Sequence, residues 1–396
     1  LTLPDRPLSV AVFSDSVLPV LNGVSVSIAS LVDALRERGH SVHIYSSHVR
    51  RHRDSDPNTR RFLSVYTPWT GAYPLAVPPF YAWFREFQQR RFDIVHTHTP
   101  FTVGMVGLRW AQSLDIPLVS SYHTRYDKYA HYVPFFPRPY VRYKVAKHTY
   151  FYYSSVRHVI TPSNATLKWL RVHSVRTPAS VVPTGVTAPL PFDREAVRRE
   201  LGAQPDHCVV LYCGRIAKEK NIELVLQACA DVMSDSPNVR LWLVGEGPAM
   251  AEYAAMARNL EIGDRVRFWG GMPRPEVDRF YAAADVFAFG STTETQGLVV
   301  AEAMVSGLPA VVAAGGGAGA AVADGVTGFL VPNERAAMAA RLRELVSRPE
   351  MREQMGRLAK ERAAQMTVGR MADRVLGVYR EVLGSGSEAR SLAGVV

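Results

Sequence analysis

Short β-branched runs alternate with longer helical patterns along nearly the whole chain, and near the middle the alternation stops and begins again. In the first series, "SVAVFSDS" (9–16), "SVHIYSS" (41–47), "FDIVHTH" (92–98), "PLVSSYH" (117–123) and "HVITPS" (158–163) read as buried parallel strands. Helical stretches follow most of them, at 24–38, 102–114, 138–156 and 164–172. The second series runs "CVVLYCGR" (208–215), "VRLWLVGEG" (239–247), "VRFWG" (266–270), "DVFAFGS" (285–291), "PAVVAA" (309–314) and "TGFLV" (327–331), again with helical patterns between. The break lies in "VVPTGVTAPLPFD" (181–193), where Pro and Gly accumulate. Repeated βαβ units build doubly wound parallel sheets, and 396 residues are too many for one ordinary core. The expectation is an α/β chain of two Rossmann-like domains, 1–185 and 186–365. Residues 366–396 should add a C-terminal helix returning to the first domain and a disordered tail, "GSGSEARSLAGVV".

The net charge of +10 is uneven. Residues 1–185 hold 22 Lys+Arg against 10 Asp+Glu, or +12, and residues 186–396 hold 24 against 26, or −2. A basic first domain points to an anionic partner: a membrane surface, nucleic acid or a phosphorylated substrate. No helix-turn-helix, zinc-knuckle or RNA-recognition signature supports nucleic acid, so none is expected as a partner. Cys208, Cys213 and Cys229 lack metal-site spacing and read as buried thiols of a reducing compartment. No secretory leader and no apolar run of about 20 residues is visible.

Ligands of open α/β sheets bind where strands end and helices begin, and four stretches carry chemistry at such places. In "GSTTETQGLVVAEAMVSGLPAVVAAGGG" (290–317), Glu294 lies in the loop after a strand and Glu302 lies inside the following helix. The helix should open at Gly297, so that the amides of Gly297, Leu298 and Val299 can receive a phosphate. Two acids flanking a phosphate cradle suit the hydroxyls of a sugar and a ribose. In "GRIAKEKNIELVLQA" (214–228), a strand delivers Gly214, Arg215, Lys218 and Lys220 to a loop before a helix, where fixed cations can support a leaving diphosphate. In "SDSVLPVLNGVSVSIASLVDAL" (14–35), Gly23 marks a first βα turn without GxGxxG, which argues against a dinucleotide. In "SSYHTRYDKYAHYVPFF" (120–136), His123 ends a strand on the catalytic rim of the first domain.

Taken together, "ETQGLVVAEA", "GRxxKEK", "GEGP" (245–248), "VRFWG", "PxxNGV" and "YHT" stand in the order of retaining glycosyltransferases of family 4, and the chain resembles that family from residue 9 to about 384. "HTHTPF" (96–101), "YHTRYDKYAHYVP" (122–134) and "TETQG" look most like bacterial diacylglycerol glycosyltransferases. The resemblance implies a GT-B fold, two Rossmann-like domains facing each other across a cleft, with the acceptor on the first and the nucleotide sugar on the second. It implies that Arg215 and Lys220 bind the donor diphosphate beside Gly214. Glu302 would take the ribose, Glu294 the transferred sugar, and Val266 and Phe268 would edge the base. Gly23 would lie under the diphosphate and His123 beside the sugar. Two departures are Gln296 before Gly297, where relatives often have Phe, and the small-residue run "AGGGAGAAV" (314–322).

No convincing Asp-x-Asp element is found, so no metal cofactor is expected. The expected reaction moves a hexose, with UDP-glucose favoured over UDP-galactose and GDP-mannose, to diacylglycerol on the cytoplasmic face of an anionic membrane. The alternative is a polyprenyl-linked or soluble acceptor in polysaccharide synthesis. Two stretches bear on the membrane. Phe80, Trp83, Phe84 and Phe87 share one helical face beside Arg85, Arg90 and Arg91, and that face suits either an interfacial helix or the domain's own core. Stretch 138–157 mixes aromatics and cations around the whole helix and supports surface charge without a clean amphipathic face.

Overall fold

A computed structural model describes residues 6–66, 74–77, 79–128 and 136–393, the last nine of them by backbone only. The "YHTRYDKYAHYVP" stretch therefore lies partly outside the described residues. Two compact units emerge: Leu1–Gly185 with Val368–Val396, and Val186–Thr367.

In the first unit, β1 (Ser9–Ser14), α1 (Gly23–Glu37), β2 (Ser41–Ser47) and β3 (Thr59–Phe62) are followed by a short antiparallel pair, β4 (Ser64–Val65) and β5 (Leu75–Ala76). Then come α2 (Phe84–Arg90), β6 (Ile94–Thr97), α3 (Thr102–Ser113), β7 (Leu118–Ser121), α4 (Arg138–Ser154), β8 (His158–Thr161), α5 (Asn164–Val172) and β9 (Ala179–Val181). Seven strands form one parallel sheet in the order β3-β2-β1-β6-β7-β8-β9. Side chains of β1 alternate between two cores, as the period of 2 requires. Val10 and Val12 meet Ile28, Leu31, Val32 and Leu35 of α1. Ala11 and Phe13 meet an aromatic cluster of Tyr45, Phe87, Phe92 and Trp110 on the other face.

The second unit runs α6 (Arg194–Glu200), β10 (Cys208–Cys213), α7 (Ile222–Asp235), β11 (Val239–Val244), α8 (Met250–Asn259), β12 (Val266–Gly270), α9 (Arg274–Ala283) and β13 (Val286–Phe289). It closes with α10 (Leu298–Val305), β14 (Ala310–Ala313), β15 (Gly328–Val331), α11 (Arg335–Ser347) and α12 (Pro349–Ala363). Its six strands are parallel in the order β12-β11-β10-β13-β14-β15. Asp285, just before β13, ties α6 to the sheet: it accepts from Val209 N at 2.7 Å and pairs with Arg194 and Arg198. The three cysteines are buried and unpaired, and burial pushes their thiols up to about 12. The fold class is thus two doubly wound Rossmann-like sheets.

The last helix, α13 (Val368–Ala393), lays Ala372, Val375, Tyr379 and Val382 on the α1 face of the first sheet. Its backbone continues through "GSGSEARSLA", where disorder was expected. Two glycines cost a helix about 1 kcal/mol each, and the Glu, Ala, Arg and Leu around them are good helix formers.

The aromatic face of 79–91 is core. Phe87 is fully buried, and Phe80, Trp83 and Phe84 pack against the same cluster. The Phe87 ring lies 5.1 Å from Trp110 and 4.9 Å from Phe92. Arg90 bonds Glu86 at 2.6 Å, so the cation beside those rings serves an ion pair. Phe87→Ala is expected to cost about 3–5 kcal/mol of stability, measured by urea unfolding of the full chain.

Candidate active site

In the second unit the strand order reverses between β10 and β13. Loops leaving neighbouring strands at such a point turn to opposite faces and open a crevice between them. The loop 214–221 leaves β10 and the loop 290–297 leaves β13, so the two motif stretches meet. Lys220 Nζ contacts Glu294 Oε1, with the two side chains only 17 % and 20 % exposed. Asn221 Nδ2 donates to Gly290 O at 3.0 Å, and the Ser291 and Thr293 hydroxyls both donate to Glu219 O. Arg215 is the freer cation: its side chain is 45 % exposed and reaches Glu219 only at 3.8 Å. The Tyr212 hydroxyl holds the Arg215 carbonyl at 3.0 Å, which fixes the turn after Gly214.

Gly297 caps α10 in the left-handed region (φ 75°), and no side chain caps that end. Two constraints demand glycine there: the backbone conformation and the approach of Ala318, whose Cβ would lie 2.7 Å from an added Cβ. The small-residue run 314–322 explains itself here. Gly317 N donates to Glu294 O at 2.6 Å, and a Cβ on Gly317 would sit 1.8 Å from Thr295 O. The run is the floor under the Glu294 loop, and larger side chains would displace it. Leu298 and Val299, in the first turn of α10, are half-buried beside Gly297.

Glu302, one turn further, is held from behind. Arg274 of α9 contacts its carboxylate, the Tyr281 hydroxyl donates to it at 3.0 Å, and Arg274 also bonds Asp278 at 2.7 Å. Val266 and Phe268 stand apart from this group. Val266 opens β12 at its amino end, opposite the edge where Gly214, Gly290 and Gly297 cluster. Both residues line a depression against α8 with Ala254, Arg258 and Glu261.

The first unit also reverses, between β1 and β6. Asp15, after β1, is half-buried and caps α3: its carboxylate accepts from Val103 N at 2.9 Å and from the Thr99 hydroxyl. Burial raises the Asp15 carboxyl above its ordinary value, with these bonds opposing. Gly23 is exposed in the first turn of α1, where Asn22 Oδ1 already accepts from Val24 N and Ser25 N. His123, just past β7, shares a hydrogen bond of 2.9 Å between its Nε2 and His98 Nδ1. The rings of His98 and His123 stack at 5.2 Å, and those of His96 and His98 lie 4.0 Å apart. His96 is anchored by the Tyr379 hydroxyl of α13 at 2.7 Å and the Ser121 hydroxyl at 2.8 Å. A cavity of about 20 Å³, room for about one water, touches His98, His123, Ser27 and Thr184.

The family model "Glycosyltransferase Family 4" matches residues 21–188, and "Glycosyl transferases group 1" matches residues 193–362. A curated relative, alpha-monoglucosyldiacylglycerol synthase of Streptococcus pneumoniae, is 31% identical over 98% of this chain and 88% of its own length. The chain is a family 4 glycosyltransferase. Solved structures agree on the two-domain GT-B class. Sucrose-phosphate synthase from Thermosynechococcus elongatus aligns with TM-score 0.77 at 21% identity, covering 96% of this chain and 100% of that one. Anabaena HepE, solved in complex with UDP-glucose, aligns with TM-score 0.74 at 20% identity over 96% of this chain and 100% of its own.

Three participants of this glycosyltransferase escaped the sequence reading: Arg274 behind Glu302, and His96 and His98 beside His123. The "HTH" repeat of period 2 carried a signal, since both imidazoles had to fall on one face of β6 or its extension. Arg274 carried none, because its partner lies in another βα unit. Burial pushes His123 down to about 4 and His96 down to about 3, so both are neutral at pH 7. A folded-state pKa below the unfolded value near 6.5 means the unfolded chain binds more protons between those limits. Stability is therefore full above pH 6.5 and falls as the pH drops toward 4, by about 3 kcal/mol for His123 alone. Urea unfolding at pH 7 and pH 5 should show this slope, and His123→Asn should reduce it, leaving the part that His96 contributes.

Proposed function

We propose that this glycosyltransferase moves a hexose, with retention of configuration, from a nucleotide diphosphate sugar to a lipid hydroxyl at a membrane surface. The favoured donor is UDP-glucose and the favoured acceptor diacylglycerol on the cytoplasmic face. The observation that carries the donor half is the meeting of Lys220, Glu294 and the amino end of α10 at the switch point of the second sheet. The name of the pneumococcal relative, identical over nearly a third of aligned positions, supports the acceptor half.

In this reading Lys220 turns from Glu294 to the donor diphosphate, joined by Arg215 and by the amides of Leu298 and Val299. Glu294, released from its counter-ion, accepts hydrogen bonds from the hydroxyls of the transferred sugar. Glu302, kept in place by Arg274 and Tyr281, takes the ribose hydroxyls with its remaining acceptor capacity. The base lies toward the carboxyl end of β12, nearer Gly270 than Val266. The acceptor oxygen bonds to the anomeric carbon on the face from which the diphosphate departs. The bond from that carbon to the phosphate oxygen breaks, and the same phosphate oxygen takes the acceptor proton. Charge growing on the leaving group is met by fixed cations and helix amides, which need no reorganisation; no metal cofactor has a step in this scheme. His123, neutral and braced by His98, is assigned to the sugar.

Lys220→Ala should lower kcat for hexosyl transfer by about 10²–10³-fold with a smaller change in KM. Transfer and slow donor hydrolysis would be measured over a panel of UDP- and GDP-sugars with diacylglycerol in mixed micelles. Unchanged turnover in the variant removes the leaving-group role. Activity confined to a polyprenyl or soluble acceptor removes the diacylglycerol reading and leaves the donor site standing.

A further inference from the structure

Helix α4 is packed on one side and open on the other. Val141, Thr149, Tyr152 and Tyr153 are buried against the first unit's core. At 100° per residue the opposite arc carries Tyr140, Tyr143, Lys144, Lys147, Tyr150 and Phe151 within about 120°. The four rings are exposed to a degree unusual for their size, with Tyr143 at 60 % and Phe151 at 55 %. Phe136, just before the helix, is also 55 % exposed. Arg138 and Arg142 stand exposed at the amino end, and stretch 136–157 contains no Asp or Glu. Among the described residues none of these four cations has a carboxylate within ion-pair distance. Lys144 instead lies over the Tyr140 ring at 5.5 Å.

We propose that this face of α4 is the surface by which the protein docks on an anionic lipid bilayer. Its choice of occupant rests on the lipid-acceptor reading above, while the geometry stands without it. Tyrosine and lysine suit the headgroup layer, since each has an apolar body and a polar tip. Uncompensated cations meet the negative surface potential of acidic lipids. A row of rings about 16 Å long on a convex helix fits a broad soft surface. A nucleic-acid strand would call for a groove that tracks its backbone. A second copy paired face to face would set like charges against each other.

The test is sedimentation of the full chain with phosphatidylcholine vesicles, with and without phosphatidylglycerol. The wild type should bind vesicles containing phosphatidylglycerol strongly and pure phosphatidylcholine weakly. K144Q/K147Q should weaken the anionic binding by about 10–30-fold, and Y143S/F151S should weaken binding to both vesicle types. Both variants should keep the wild-type rate of donor hydrolysis, which shows that they fold. Both should also lose transfer to vesicle-embedded diacylglycerol more than transfer in detergent micelles. Vesicle binding that is absent in the wild type, or unchanged in both variants, overturns the proposal. So does a self-associating wild type made monomeric by Y143S/F151S without loss of vesicle binding, or displacement from vesicles by single-stranded RNA at equal phosphate. Lost vesicle binding in the variants, with no diacylglycerol transfer by the wild type, would keep the docking face and remove the acceptor reading.

Discussion

Everything at the candidate donor site depends on the reversal of strand order between β10 and β13. Neighbouring parallel strands that continue in the same direction send their loops to the same side, and nothing opens between them. A reversal sends the two connections to opposite faces, and a crevice follows at the carboxyl edge. Lys220 and Glu294 are 74 residues apart in the chain and touch only because their strands are neighbours. The hydrogen bonds from Asn221, Ser291 and Thr293 tie loop to loop, so that the pair is held by backbone as well as by charge.

The charges at the site stand in two layers with different freedom. Lys220 and Glu294 neutralise each other at the mouth, so neither is stranded without a counter-ion before a ligand arrives, a situation costly for partly buried charges. Behind them Arg274 joins α9 to α10 through Asp278 and Glu302, and Tyr281 adds a neutral donor. Exchange of partners at the mouth is cheap because an anionic ligand replaces one carboxylate by another acceptor. Exchange in the second layer would strand Arg274, which already has Nη2 buried without a partner. The front pair can therefore trade partners with substrate while the rear set keeps Glu302 aimed.

How much was legible follows from what each signal measures. Parallel strands buried on both faces have no competing pattern, so the two sheets could be read from runs such as "CVVLYC" and "SVAVFS", and the loops after them were natural places to look for Lys220, Glu294 and Gly297. The polar partners that cross between βα units were not legible: nothing near Arg274 or Tyr379 announces Glu302 or His96. Position along a strand also matters more than motif membership. Val266 shares "VRFWG" with Gly270, yet it opens the strand and faces α8. The small-residue run 314–322 looked like a departure from the family, but its reason is steric, because Gly317 and Ala318 lie against the backbone of the Glu294 loop.

The aromatic helices stay open in the sequence for a reason of the same kind. Periodicity reports whether a helix has one apolar face; it does not say what covers that face. Residues 80–87 have a clean stripe because the core demands one. Helix α4 has no clean stripe because it is aromatic on both sides, toward the core at Tyr152 and Tyr153 and toward solvent at Tyr143 and Phe151. Charge asymmetry has to be resolved in the same way. Much of the first unit's arginine is spent internally: Arg6 on Asp93, Arg36 on Asp56, Arg60 and Arg90 on Glu86, Arg61 on Asp54, Arg125 on Asp127. Paired charges cancel in the far field, and the excess of +12 in residues 1–185 is concentrated on the cations left over. On α4, Lys144 and Lys147 stand among exposed rings with Arg138 and Arg142 at the amino end, which is where a field directed at an acidic surface would act.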